Sequence, residues 1–258
     1  MFRDSITGLD KILANDIPQG GIIIVTGTAG SLKSAFVYNI LSEYLSKYKN
    51  ERGLYVTLEE SKRSHMKNMK SLGINIEKRL KISDLASFRA HISFEDMDYL
   101  DLIKKRALGS LPTLKNSESA SVEEDSNKLV KKDTDQTSGK KKTSKLQYSC
   151  FALDSLNALY SLIGLNKKRL RNKLLEFFTF LRQNNFTSFI VLETPQDQHY
   201  CDEFFLADGI IEFGITKASQ DTLKRYIQVK KMRATKHSLD PFLIEIGKSG
   251  LEIVGKLA

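Results

Sequence analysis

At 258 residues the chain suits one α/β domain, or one domain carrying an insertion. No apolar run approaches a membrane span, and the N-terminus lacks the basic-then-apolar layout of a secretory signal, so a cytoplasmic protein is expected. Two cysteines, Cys150 and Cys201, are too few for a disulfide framework, and the net charge of +9 is spread as lysine with no aromatic-interleaved stripe, which favours a solvated surface over a nucleic-acid footprint.

In chain order, Leu9, Ile12 and Leu13 have helical spacing, and Pro18, Gly20 and Gly21 stop that segment in a turn. Ile22 to Val25 is a short β-branched run of the kind that fits a strand covered on both faces. A glycine-bearing turn follows, and then a helix to about Lys49 with Val37, Ile40, Leu41, Tyr44, Leu45 and Tyr48 on one face. Leu54 to Leu58 predicts the next strand, ending on Glu59 and Glu60. Lys62 to Leu72 predicts a helix, Leu80 to Ile82 a short strand, and 94–108 another helix.

From Pro112 to Lys145 the composition turns to Ser, Thr, Lys, Asp and Glu with hardly any large apolar residue. Such a segment cannot bury enough surface to offset its ordering entropy, and it reads as a disordered insertion. Its eight lysines stand against six acids, so it explains little of the net charge. Beyond it, strands are expected at Cys150 to Leu153, Ser188 to Leu192, Gly209 to Phe213 and Arg225 to Met232. A helix is expected at Arg169 to Arg182, and a terminal hairpin at Phe242 to Ile246 and Leu251 to Val254. This is α/β with a mostly parallel core and a C-terminal antiparallel extension.

The chemistry centres on Gly27, Thr28, Ala29, Gly30, Ser31, Leu32, Lys33 and Ser34, which fall close to the phosphate-loop pattern G-x-x-x-x-G-K-[ST]. That order lets backbone N–H groups and a helix N-terminus face the phosphates of a nucleotide such as ATP. Lys33 reaches the β- and γ-phosphates, and the Ser34 hydroxyl binds Mg²⁺. Leu32 departs from the pattern, which asks for Gly there. Its side chain is harmless if the residue already has helical dihedrals, and resisted if the loop is constrained. Asp154, after an apolar strand, fits an acid that holds Mg²⁺, although an Asp there is also a common helix cap. Glu59 or Glu60 fits the group that orients attacking water, although a Glu pair is also ordinary surface charge. Lys231 and Arg233, two apart on a late strand, are either a solvated edge or a cationic finger. His199 and Cys201 alone make a weak metal site.

Six segments in order, Ile6–Asp10, Ile17–Gly20, GTAGSLKS, LYVTLEES, CFALDSL and KMRATKH, resemble the KaiC-like branch of the RecA-type P-loop ATPases. The resemblance covers nearly all of the chain outside the insertion and implies one RecA-like ATPase domain over 1–258, interrupted at about 112–145. It implies that ATP and Mg²⁺ are bound by the loop residues, that Glu59 and Glu60 are a catalytic pair, and that Asp154 is the Walker B acid. By the same resemblance Lys231 and Arg233 reach the γ-phosphate in a neighbouring subunit of a ring, usually a hexamer, and Glu193-Thr194 sits where the family places a γ-phosphate sensor. The family's clock member has two such domains and phosphorylates itself; this chain has one, so self-phosphorylation does not carry over. The expected function is a regulatory or signalling ring ATPase. The alternatives are a nucleotide sensor with little hydrolysis and a recombinase-like ATPase that binds DNA.

Overall fold

The computed structural model describes residues 1–89, 98–109, 148–163, 167–195, 202–219 and 222–257. The expectations for 112–145, 94–97, His199 and Cys201 lie outside them.

The apolar run before the loop is strand β1 (Ile22–Gly27), buried at every position. Its side chains alternate between two cores, as strand geometry requires. Ile23 and Val25 pack with Phe36, Val37 and Ile40 of helix α1 (Lys33–Lys47). Ile22 and Ile24 pack on the other face with Leu156 and Leu159 of α5 (Leu156–Ile163) and Phe177, Phe178 and Leu181 of α6 (Lys167–Gln183). Each such fully buried side chain contributes about 1.5–3 kcal/mol. Helices therefore cover both faces, which explains the continuous apolar run.

Nine strands form one sheet in the order β3-β2-β4-β5-β1-β6-β7-β8-β9. From β3 (Leu80–Asp84) through β2 (Gly53–Thr57), β4 (Cys150–Asp154), β5 (Thr187–Glu193) and β1 to β6 (Gly209–Ser219) every pairing is parallel. From β6 through β7 (Thr222–Met232) and β8 (Phe242–Gly247) to β9 (Gly250–Lys256) every pairing is antiparallel. The mixed sheet expected from the sequence is present, with longer β6 and β7. Parallel pairing puts the C-terminal ends of β1, β2, β4 and β5 on one rim, where α/β sheets bind ligands. The remaining helices are α2 (Lys62–Ser71), the short α3 (Ala86–Arg89) and α4 (Tyr99–Ala107).

Two departures bear on the site. The sequence reading weighed Asp154 as a helix cap but gave no range for a helix between β4 and α6, and α5 starts directly after Asp154-Ser155. Its first-turn amide at Ala158 bonds the Ser155 hydroxyl at 3.3 Å, so Ser155 is the cap and Asp154 is left for other work. Strand β7 ends at Met232 and is bulged opposite Ile210/Ile211, so spacing alone does not put Lys231 and Arg233 on one strand face. No helix among the described residues is long and apolar enough to cross a membrane.

Candidate functional site

Gly27 leaves β1 at φ 137°, where a Cβ would sit 1.8 Å from the Phe213 carbonyl oxygen of β6; only glycine fits this exit. The loop then closes on one acceptor. The Thr28 carbonyl takes the Ser31 hydroxyl at 2.7 Å and the Lys33 ammonium at 2.6 Å. Gly30 turns at φ 74° with open space around its Cβ position. Leu32 is itself left-handed, φ 76° and ψ 19°, so the harmless helical alternative is corrected: this is the conformation glycine favours. A leucine held there carries about 1–2 kcal/mol of strain. Its side chain packs on the α1 core, which offsets part of that cost.

Leu32 offers no side-chain cap to α1, so the first-turn amides of this 15-residue helix keep no partner from it. The Lys33 ammonium is buried (7 % exposed) and lies 3.6 Å from Glu193 at the end of β5. Burial pushes its pKa down, and Glu193, Asp154 and Glu59 pull it back up. Next to Glu193, the buried Thr194 hydroxyl meets that of Thr26 at 3.0 Å, and the Thr194 amide bonds the Gly27 carbonyl.

Asp154 ends β4 opposite Thr57. Its carboxylate accepts the Tyr55 hydroxyl at 2.6 Å, and the Ser34 side chain is near enough to favour its charged form. Burial pushes its pKa up against those two hydroxyls. The two glutamates after β2 part company. Glu59 accepts the Ser155 hydroxyl at 2.6 Å, which draws it toward β4 and Lys33. Glu60 turns to α2, where Asn68 donates at 2.8 Å and the His65 ring nitrogen Nδ1 lies at 3.3 Å.

Loop, Lys33, Ser34, Asp154 and Glu59 thus share one rim. The donor set fits magnesium and a nucleotide: a hydroxyl beside a carboxylate offers hard oxygen ligands, and uncapped helix amides beside a buried ammonium suit phosphate. Among the described residues no group of three His, Cys, Asp or Glu could hold a metal by itself.

Lys231 and Arg233 are not on this rim. The Lys231 ammonium donates to the carbonyls of Phe204 at 3.0 Å and Ala207 at 2.7 Å. Arg233 donates to Asp208 at 3.2 Å, and the Asp208 carboxylate also accepts from Arg182 and from the Ile22 amide at the start of β1. Five residue-to-residue steps of strand lead from Ile22 to Gly27, about 17 Å.

The sequence reading missed Tyr55, Ser155 and Arg225. The register, with Tyr55 two residues before Thr57 and Thr57 opposite Asp154, would have found Tyr55. Arg225 of β7 donates to the Gly30 carbonyl at 3.1 Å across 195 residues, with no local signal.

A family model described as "ATPase: KaiC" matches residues 3–258. The circadian clock protein KaiC3 of Synechocystis is 26% identical over 259 residues, covering 98% of this chain but 45% of its own length. The circadian clock oscillator protein KaiC of Thermostichus vulcanus is 38% identical over 72 residues, 28% of this chain and 14% of its own. The chain thus spans less than half the length of these curated relatives. The crystal structure of a KaiC-like protein from Pyrococcus horikoshii superposes with a TM-score of 0.70 at 23% identity, covering 97% of this chain and 96% of that one. At that identity the likeness speaks for the fold.

Proposed function

The chain belongs to the KaiC ATPase family, as a P-loop ATPase domain of the KaiC/RecA type, and from that premise we propose that it binds ATP with Mg²⁺ on the β1–α1 loop and hydrolyses it within a ring of its own copies. The observation that carries the reading is the convergence of Lys33, Ser34, Asp154 and Glu59 on one rim, with Lys33 resting on the Thr28 carbonyl and 3.6 Å from Glu193, and Glu59 tied to Ser155 directly after Asp154. The loop amides and Lys33 hold the phosphates, while Ser34 and Asp154 hold the metal, whose chemistry is to neutralise charge developing on the phosphates. Glu59, steadied by Ser155, orients the attacking water. Lys33, resting on the Thr28 carbonyl and beside Glu193, is the cation placed to meet the phosphates.

Placement at the opposite rim supports a role for Lys231 and Arg233 toward a neighbouring copy, a hexamer by family resemblance, since they cannot reach their own loop. The output of the cycle is regulatory or signalling in this reading. Steady-state turnover, measured with magnesium, with chelator and with single-stranded DNA, tests it: magnesium-dependent turnover indifferent to DNA is expected. Stimulation by DNA would favour a recombinase-like ATPase instead.

Strain at Leu32 favours a second reading, a sensor that binds ATP and scarcely hydrolyses it. Leu32→Gly separates the two. Relief of the strain is offset by lost packing, so stability should stay within about 1 kcal/mol, while a relaxed loop should raise turnover by about threefold or more. Unchanged turnover in that variant would remove Leu32 as the brake.

A further inference from the structure

One buried titratable side chain near the site has no part in the steps above. His65 of α2 is 1 % exposed, with its ring 4.6 Å from that of Tyr55 and 5.2 Å from that of Tyr38. Its Nδ1 faces the Glu60 carboxylate at 3.3 Å, while its Nε2 is buried without a hydrogen-bond partner. That asymmetry assigns the tautomer: a neutral ring with its proton on Nδ1 donates to Glu60 and leaves Nε2 a bare acceptor. Burial keeps the ring neutral by lowering its pKa, against the pull of Asp154 and Glu60.

The second hydrogen bond to Glu60 comes from Asn68, one turn further along α2. Together they fasten a carboxylate that is covalently next to Glu59 and close enough to act on Asp154. Lys33 lies 3.6 Å from Glu193 and is also influenced by Asp154 and Glu59, whereas the Glu60 carboxylate is tied to Asn68 and His65 of α2. Released from α2, Glu60 could swing toward the phosphates and add a negative charge where the terminal phosphate would lie. Charge there opposes a triphosphate more than a diphosphate.

We propose that His65, with Asn68, is a positioning residue that holds Glu60 against α2 and thereby sets the preference of the site for ATP over ADP. The proposal rests on the nucleotide reading above and deepens it. Titration calorimetry of the full chain with the non-hydrolysable analogue AMP-PNP and with ADP, both in magnesium, tests it without relying on hydrolysis.

His65→Phe keeps a ring between Tyr38 and Tyr55 but removes the donor. It should weaken AMP-PNP about tenfold and ADP by less than about twofold. His65→Asn, which keeps a donor near the Nδ1 position, should retain most of the preference. Adding Glu60→Gln to His65→Phe should restore AMP-PNP binding, because the released side chain is then uncharged. Asn68→Ala, on the exposed side of α2, should shift the preference in the same direction and decides the matter if His65→Phe does not fold. Equal weakening of both nucleotides, or no recovery on adding Glu60→Gln, would overturn the proposal while leaving the nucleotide site standing. Failure of the unmodified chain to bind either nucleotide would overturn the nucleotide reading and this inference with it.

Discussion

Arg233→Ala is expected to bind ATP as the unmodified chain does and to lose about 10³–10⁵ of its turnover, the range measured for cationic fingers in other nucleotidases. The location of Arg233 motivates the prediction. It is tied to Asp208 at the start of β1, about 17 Å of strand from the loop at the other end. An arginine there can neutralise charge on a γ-phosphate only if the phosphate belongs to another copy. Arg182 and the Ile22 amide share Asp208 with it, so the cation is presented from a braced position. Mixing decides between this and a solvated edge. Arg233→Ala and Glu59→Gln chains, each inactive alone, should regain activity together, since about a quarter of the interfaces in a random equal mixture pair an intact glutamate with an intact arginine. Mixed rings that demonstrably form yet recover nothing would rule out action in trans.

Glu59→Gln alone should keep nucleotide binding and lose about 10²–10⁴ of turnover, the contribution of a positioned general base. The amide is nearly isosteric and can still accept the Ser155 hydroxyl, so the loop and β4 should not shift. Glu60→Gln should cost far less, because that carboxylate is occupied by Asn68 and His65. Single-turnover hydrolysis checks both. Normal hydrolysis by Glu59→Gln would hand the role to Glu60 or another residue.

Most of the frame could be read from residue order because each element carries its own signal. The β-branched run Ile22 to Val25 can bury both faces, and α1 repeats its apolar residues every three or four positions. What escaped depends on partners far away in sequence. The division of labour between Glu59 and Glu60 is decided by Ser155, 96 residues from Glu59, and by two α2 side chains. Helix α5 is short, and its cap, Ser155, is masked by the more conspicuous Asp154. The outer parts of β6 and β7 extend through polar residues such as Thr216 and Lys224, held by mutual pairing rather than burial. Leu32 could be seen as a departure, but its left-handed backbone follows from the geometry of the whole loop.

The most direct measurement is ATP affinity and turnover of Lys33→Ala beside the unmodified chain, with magnesium present. Lys33 is the buried cation of the loop, and its ammonium rests on the Thr28 carbonyl with Glu193 3.6 Å away. Removing it should abolish detectable ATP binding, and turnover with it, while the fold survives because the lost side chain sits at the sheet's rim. Unchanged ATP affinity in Lys33→Ala would contradict the assignment of this loop as the nucleotide site.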